Sequence, residues 1–199
     1  LKNERGNKKM NAKYDGKYLR CDIVAVKDAE VGGRLYSVEI DAEIPNGVIG
    51  TMGATKANKP EVKALALGVT APADMVIVMR PEINPDEALK ANGALGLHRN
   101  EANRPVPAIK LGHRDRIALS EDYFLEGIPE VGDELKVNTS DGLITEEAGE
   151  GYKLVVTEVK NAKVPSVLLY AEEGAHLAPT YKMITLEVII EEKAEVSGN

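Results

Sequence analysis

Tyr181-Lys182-Met183-Ile184-Thr185-Leu186-Glu187-Val188-Ile189-Ile190-Glu191 alternates along its whole length. Successive side chains of a strand point to opposite faces, so Met183, Thr185, Glu187 and Ile189 form one row and Ile184, Leu186, Val188 and Ile190 the other. The second row is wholly apolar and is expected to face a core. Upstream, the same β-type patterning returns in short runs. Arg114-Asp115-Arg116-Ile117-Ala118-Leu119 reads as a strand, and Pro129 to Val137 as a turn into a strand. Ser140-Asp141-Gly142 turns into Leu143-Ile144-Thr145, and Tyr152 to Val159 and Ser166 to Tyr170 follow. Short strands at this spacing predict a mainly β fold: short antiparallel strands in one or two small barrels or sandwiches, with one short helix.

The first half carries weaker versions of the same signal. Cys21 to Val26 is an apolar run. Leu35 to Ile40 alternates, with Tyr36, Val38 and Ile40 on one face and Ser37 and Glu39 on the other. Gly32-Gly33 between them predicts a tight turn and hence a hairpin. Asn46-Gly47 is a second turn signal, leading into Val48 to Met52. Lys63 to Leu67 and Met75 to Met79 read as strands, punctuated by Pro72 and Pro81. The one helix is expected near 85–92: Asn84 caps it, Pro85 suits its first position, Glu87 stands three residues after the cap, and Asn92-Gly93 ends it. Residues 97–112 are polar with two prolines and read as a linker or a long loop. The expected organisation is a disordered tail at 1–17, a β-rich domain at 18–96, the connection at 97–112, a small barrel or sandwich at 113–191, and a tail at 192–199.

Two readings of residues 1–9 stand side by side. As protein, Leu1 to Lys9 is a short basic arm with nothing to bury. Alternatively, Glu4-Arg5-Gly6 is encodable as a purine-rich ribosome-binding sequence, and Met10 follows at a workable spacing. Met10 is then the start and residues 1–9 are leader. Their removal takes away four bases and one acid and leaves a net charge of -10 rather than -7.

Composition narrows the function classes. The chain has 199 residues, 25 Lys plus Arg against 32 Asp plus Glu, 43% hydrophobic residues, one Cys, one Phe, seven Tyr and no Trp. That apolar share builds an ordinary core. No apolar run approaches the roughly 20 residues of a membrane-spanning helix, so no membrane partner is expected. An acidic chain repels the phosphate backbone, so no nucleic-acid partner is expected either. One cysteine cannot form an internal disulfide, and it excludes zinc sites built on paired cysteines.

No local motif dictates a reaction. His98, His113 and His176 stand singly, without metal-ligand spacing, and read as solvated loop residues. Cys21 lies in an apolar strand and reads as a buried, inert thiol. Ser120 and Ser166 lack a nucleophile elbow or a local base. The carboxylate neighbours Asp86-Glu87, Glu121-Asp122, Glu146-Glu147 and Glu172-Glu173 lie on polar stretches, and the absence of Trp argues against sugar platforms. Gly32-Gly33-Arg34 and Gly93 to Gly96 do not build a phosphate cradle. Arg99, Arg104, Lys110, Arg114 and Arg116 make the middle of the chain basic, and pairing with the many carboxylates is preferred over a partner's acidic surface. Hence no catalytic residue, metal or cofactor is expected.

From about Asn100 to Glu147 the chain resembles small virion proteins that tailed bacteriophages encode near the major capsid gene. The residues that carry the resemblance are Arg116-Ile117-Ala118-Leu119-Ser120-Glu121-Asp122-Tyr123-Phe124, then Val131-Gly132-Asp133-Glu134-Leu135, then Asp141-Gly142-Leu143-Ile144. The family's usual Gly-Asp after the first leucine is replaced here by Ser120-Glu121-Asp122. The resemblance implies an auxiliary virion structural protein, a capsid decoration, cement or head-fibre protein. Such a protein acts by binding, uses no cofactor, is made in the bacterial host cytoplasm and ends in the virion. The partners implied are the major capsid protein or other virion proteins, together with further copies of the chain in a homo-oligomer. A tail-tube or adaptor component, and a cytosolic enzyme or subunit without a recognisable motif, are the alternatives.

Overall fold

The structure is a computed structural model, and it describes residues 14, 17–26, 33–80, 99–146, 150–163 and 180–191. Within them the protein is mainly β, with a closed five-stranded barrel and a six-stranded antiparallel sheet. The strands are β1 (Cys21–Ala25), β2 (Leu35–Glu39), β3 (Ile44–Pro45), β4 (Ile49–Lys56), β5 (Lys59–Leu67), β6 (Met75–Val78) and β7 (Arg99–Asn100). They continue with β8 (Val106–Lys110), β9 (Arg116–Ser120), β10 (Glu134–Val137), β11 (Ile144–Thr145), β12 (Tyr152–Lys163) and β13 (Thr180–Ile190). The sheet runs β1-β9-β13-β12-β10-β11, and the barrel closes in the order β2-β5-β4-β6-β8. A separate two-residue pairing joins β3 to β7. Among the described residues no helix is long and apolar enough to cross a membrane.

The alternating stretch that decides the fold is β13, at the centre of the sheet. Ile184, Leu186 and Val188 are fully buried, as their row predicts, and Ile190 packs partly buried against the same core. The opposite row is not open to water throughout. Met183 and Tyr181 form a second small cluster with Ala118, covered by Tyr18 and Ala162. Tyr18 and Tyr181 meet edge to face at 5.0 Å between ring centroids, a geometry that the ring quadrupoles favour. The main core is continuous: barrel residues such as Val38, Ile49, Ile77 and Ala108 share one cluster with sheet residues such as Ile117, Leu154 and Leu186.

Several sequence expectations are corrected. The hairpin through Gly32-Gly33 does not form. β1 pairs instead with β9, placing Cys21 beside Leu119 and Ile23 beside Ile117. β2 enters the barrel, antiparallel to β8 and parallel to β5. Each strand has gone where its apolar face finds a core, and glycines in a connection do not specify the partner. The connection at 97–112 is not loop throughout. Arg99–Asn100 is β7, and Val106–Lys110 is the strand that closes the barrel between β2 and β6. Its Pro107 does not prevent pairing: it stands opposite Ser37, and its carbonyl accepts from the Met79 amide at 3.0 Å. Within the expected tail, Tyr14 is buried and its hydroxyl donates to the Asp141 carbonyl at 2.6 Å. The helix expected near 85–92, the strand Ser166 to Tyr170 and the tail at 192–199 lie outside the described residues.

The β4–β5 hairpin turns on Ala57-Asn58, with Asn58 at φ 63, a conformation that asparagine tolerates well. The exposed sheet edge at β1 is blunted by a bulge between Ile23 and Ala25, which leaves Val24 facing solvent.

Candidate functional site

A cleft opens where the barrel meets the sheet. On the barrel side it is formed by the chain leaving β5. Gly68 (φ +77) sits against β10's following turn so closely that a Cβ there would lie 2.5 Å from the Thr139 Cα. Thr51 fixes the next residues: its hydroxyl donates to the Gly68 carbonyl at 3.0 Å and accepts from the Thr70 amide at 2.9 Å. A 3₁₀ turn at Pro72–Asp74 then leads into β6. On the sheet side the walls are the turn after β10, the start of β12 and the end of β13.

The cleft has two lobes. One, of about 760 Å³, has an apolar wall of Val69, Ala71, Pro72 and Ile190, with Glu150 and Glu191 beside it. The other, of about 380 Å³, is lined by Lys136, Asn138, Thr139, Thr145 and Tyr152, and shares Val69 and Glu150. These sizes fall in the range of small-ligand pockets, roughly 300–1,000 Å³. Tyr152 has its hydroxyl occupied as acceptor of the Val137 amide at 3.0 Å, and burial pushes its pKa up, only partly opposed by that hydrogen bond and by Lys136. Among the lining hydroxyls, that of Thr145 donates to the Glu126 carboxylate at 3.2 Å.

The residues singled out by sequence are scattered. His113 is exposed, and its Nδ1 accepts from the Ile190 amide at 3.2 Å, which ties the β8–β9 turn to the end of β13. His98, His176, Ser166, Asp86-Glu87, Glu147 and Glu172-Glu173 lie outside the described residues. Cys21 is buried. Ser120 is buried and acts as a strap: its hydroxyl donates to the Tyr18 carbonyl at 2.7 Å and accepts from the Arg20 amide at 2.9 Å. Asp122 accepts from the Tyr18 amide at 2.6 Å, while the Glu146 amide donates to the Glu126 carboxylate at the same distance. Among the described residues no three metal-ligating side chains converge.

The basic stretch divides. Arg99 donates to the Tyr14 and Lys17 carbonyls at 3.1 and 3.0 Å. Arg104 pairs with Glu101 at 2.8 Å and Lys110 with Asp74 at 3.4 Å. Arg114 and Arg116 are exposed.

Sequence reading missed two charge clusters at the barrel. Asp115 is fully buried and accepts from the Arg34 guanidinium and the Gly112 amide, each at 2.6 Å. Glu39 is buried in the barrel and takes two ammonium groups, Lys56 at 2.6 Å and Lys59. Hydrogen bonds from these two lysines lower the Glu39 pKa, and desolvation opposes them only in part. A signal existed for the second cluster, since Lys56 and Lys59 flank a two-residue turn and so project from adjacent positions of one hairpin. Because the Glu39 pKa is lowered on folding, its stabilising contribution is present above the ordinary glutamate range and is lost as the pH falls through the folded value. Chemical denaturation should therefore find Glu39→Gln less stable than the parent at pH 6. The gap should close only as the pH falls through the folded Glu39 pKa, below the ordinary glutamate value of about 4.3, where both side chains are neutral. A pH-independent gap would show that the charge is not what stabilises.

Comparison with family models, with curated proteins and with solved structures finds no match to this chain.

Proposed function

We propose that the chain is a non-enzymatic structural protein of a bacteriophage virion that decorates or cements the capsid surface. The observation that carries this reading is the order of elements from Arg116 to Thr145. A strand opens at Arg116 (β9) and an acidic 3₁₀ turn follows at Glu121–Tyr123. Val131-Gly132-Asp133 then leads into β10, and a hairpin through Gly142 reaches β11. This is the succession on which the resemblance to auxiliary virion proteins rests. A closed barrel joined to a sheet through one continuous core also suits a part that must bear load without changing shape. The implied partner is the major capsid protein or another virion component.

Co-sedimentation with purified, undecorated capsids of the parent phage tests the proposal. Saturable recovery of the protein in the capsid pellet is the expected result. A protein left in the supernatant at every capsid concentration overturns decoration. Recovery with tails or connectors instead would move the role to a tail-tube or adaptor component, and a gene neighbourhood of metabolic enzymes would overturn the virion class.

A further inference from the structure

Five large apolar side chains are exposed among the described residues. Three of them, Leu125, Ile128 and Val131 at 41, 49 and 64%, fall within seven consecutive positions. Single exposed apolar residues need no partner, but a group of them in one loop marks an interaction surface. The loop joins the 3₁₀ turn at Glu121–Tyr123 to β10, and it is held in shape. The Leu125 amide donates to the Ile144 carbonyl and the Gly132 amide to the Val156 carbonyl, both at 2.9 Å. The Glu126 carboxylate accepts from the Glu146 amide at 2.6 Å, the Asp133 carboxylate accepts from the Glu130 amide at 2.7 Å, and Pro129 is buried. Binding therefore incurs little ordering cost.

Charge selects what can cover this loop. Residues 121–134 contain six acidic side chains and no basic one. Glu134 pairs with Lys153, but among the described residues no Lys or Arg pairs with Glu126, Glu130 or Asp133, all of them exposed. An anionic bilayer and a nucleic acid are both repelled by such a loop. A second copy of the chain carries a net charge of -7 and is repelled as well. The complementary surface is that of a different protein, apolar at its centre and rimmed by Lys or Arg. There the three apolar side chains leave water while the carboxylates gain counter-charges at the rim.

We infer that loop 125–131 is the surface through which this chain binds the capsid protein, and that the capsid protein receives it on a basic surface with an apolar centre. The inference rests on the virion reading above and names the part of the chain that makes the contact. The loop leads into β10, near one end of the strand order, whereas β1 at the other end carries the single exposed Val24.

Co-sedimentation with purified, undecorated capsids of the parent phage tests it, on variants whose far-ultraviolet spectra and melting curves match the parent's. Leu125→Ser/Val131→Ser should bind about tenfold more weakly or worse, because both positions lose apolar area that docking buries. The parent's affinity should fall by about tenfold or more between 50 and 500 mM NaCl, as screening shortens the reach of the charges. Glu130→Lys should weaken binding at 50 mM and flatten that salt dependence. Val24→Ser removes an exposed apolar side chain at the other edge of the sheet and should bind like the parent. Loop variants that pellet as well as the parent overturn the inference and leave the virion reading standing. A parent that never pellets overturns the virion reading and this inference with it. An equal loss in Val24→Ser overturns the assignment to the loop, and binding indifferent to both salt and Glu130→Lys overturns the basic partner. Loop-dependent association of the chain with itself, in the absence of capsids, also overturns it, by assigning the loop to a second copy.

Discussion

Gly47→Val should destabilise the protein by about 3 kcal/mol or more. Two independent costs act at this position. Gly47 has φ 81, where a non-glycine residue pays roughly 1–3 kcal/mol and a β-branched one is a true outlier. There is also no room. A Cβ at Gly47 would lie 2.5 Å from the Tyr123 hydroxyl oxygen and 2.7 Å from the Cys21 Cβ. Tyr123 cannot easily retreat, because it is fully buried and its hydroxyl donates to the Asn46 carbonyl while also contacting that of Leu19 at 3.3 Å. Overpacking adds about 1–3 kcal/mol. The turn is a junction as well: the Asn46 carboxamide bonds Arg80 and Asn100, and the Gly47 amide donates to the Val78 carbonyl at 2.7 Å. At about 2–4 °C per kcal/mol for a chain of this size, the melting temperature should fall by at least about 6 °C. Gly132→Ala is the control. Its φ is 102 but a Cβ there meets nothing within 4 Å, so only the backbone cost of about 1 kcal/mol remains. Equal losses at the two positions would show that packing against Tyr123 is not what holds Gly47.

Arg34→Met should cost about 3–5 kcal/mol, the usual penalty for leaving one partner of a buried ion pair without its counter-charge. Asp115 is wholly inaccessible, whereas the Arg34 side chain is about a quarter exposed. The asymmetry gives the experiment its sign: removing the arginine takes a counter-charge from a carboxylate buried in the interior. The pair spans the junction where the barrel becomes the sheet. Arg34 accepts the Lys110 amide through its carbonyl at 2.8 Å, and Asp115 accepts the Val188 amide through its own at 2.8 Å. Adding Asp115→Asn to Arg34→Met should recover a large part of the loss, because the neutral side chain still accepts from the Gly112 amide and no unpaired charge remains buried. Urea denaturation of the parent, the single and the double variant checks this. A double variant no more stable than the single would show that packing of the arginine, not its charge, is what matters.

The candidate cleft was much less legible than the fold. β13 declares itself because its apolar row repeats at period two over seven residues, a local property of the chain. The residues of the cleft share no such local pattern. Val69 and Pro72 follow β5, Lys136 and Val137 end β10, Asn138 and Thr139 follow it, and Ile190 ends β13. They meet only because Gly68 lets one backbone approach another. Singling out histidines, serines and paired carboxylates pointed instead to loops and straps. Ser120, which lacks a local base in the sequence, and Asp122, which reads as solvated surface, hold the chain around Tyr18 against β9. The buried charges were equally hidden. Glu39 alternates with Val38 as a solvent-facing residue would, and it is buried because a hairpin folds two lysines onto it.

The chain alone determined that this is a mainly β protein, that β13 buries Ile184, Leu186 and Val188, and that Asn46-Gly47 is a turn. Each of these follows from spacing between neighbours or from one residue's backbone preference. Tertiary structure alone decided which strand pairs with which, that β8 closes the barrel where a linker was expected, and that Tyr14 belongs to the core. Strand pairing joins residues far apart in sequence, such as Cys21 and Leu119. Hydrophobic burial is non-directional, so many pairings satisfy the same pattern until close packing at positions such as Gly47, Gly68 and the Arg34–Asp115 pair admits only one.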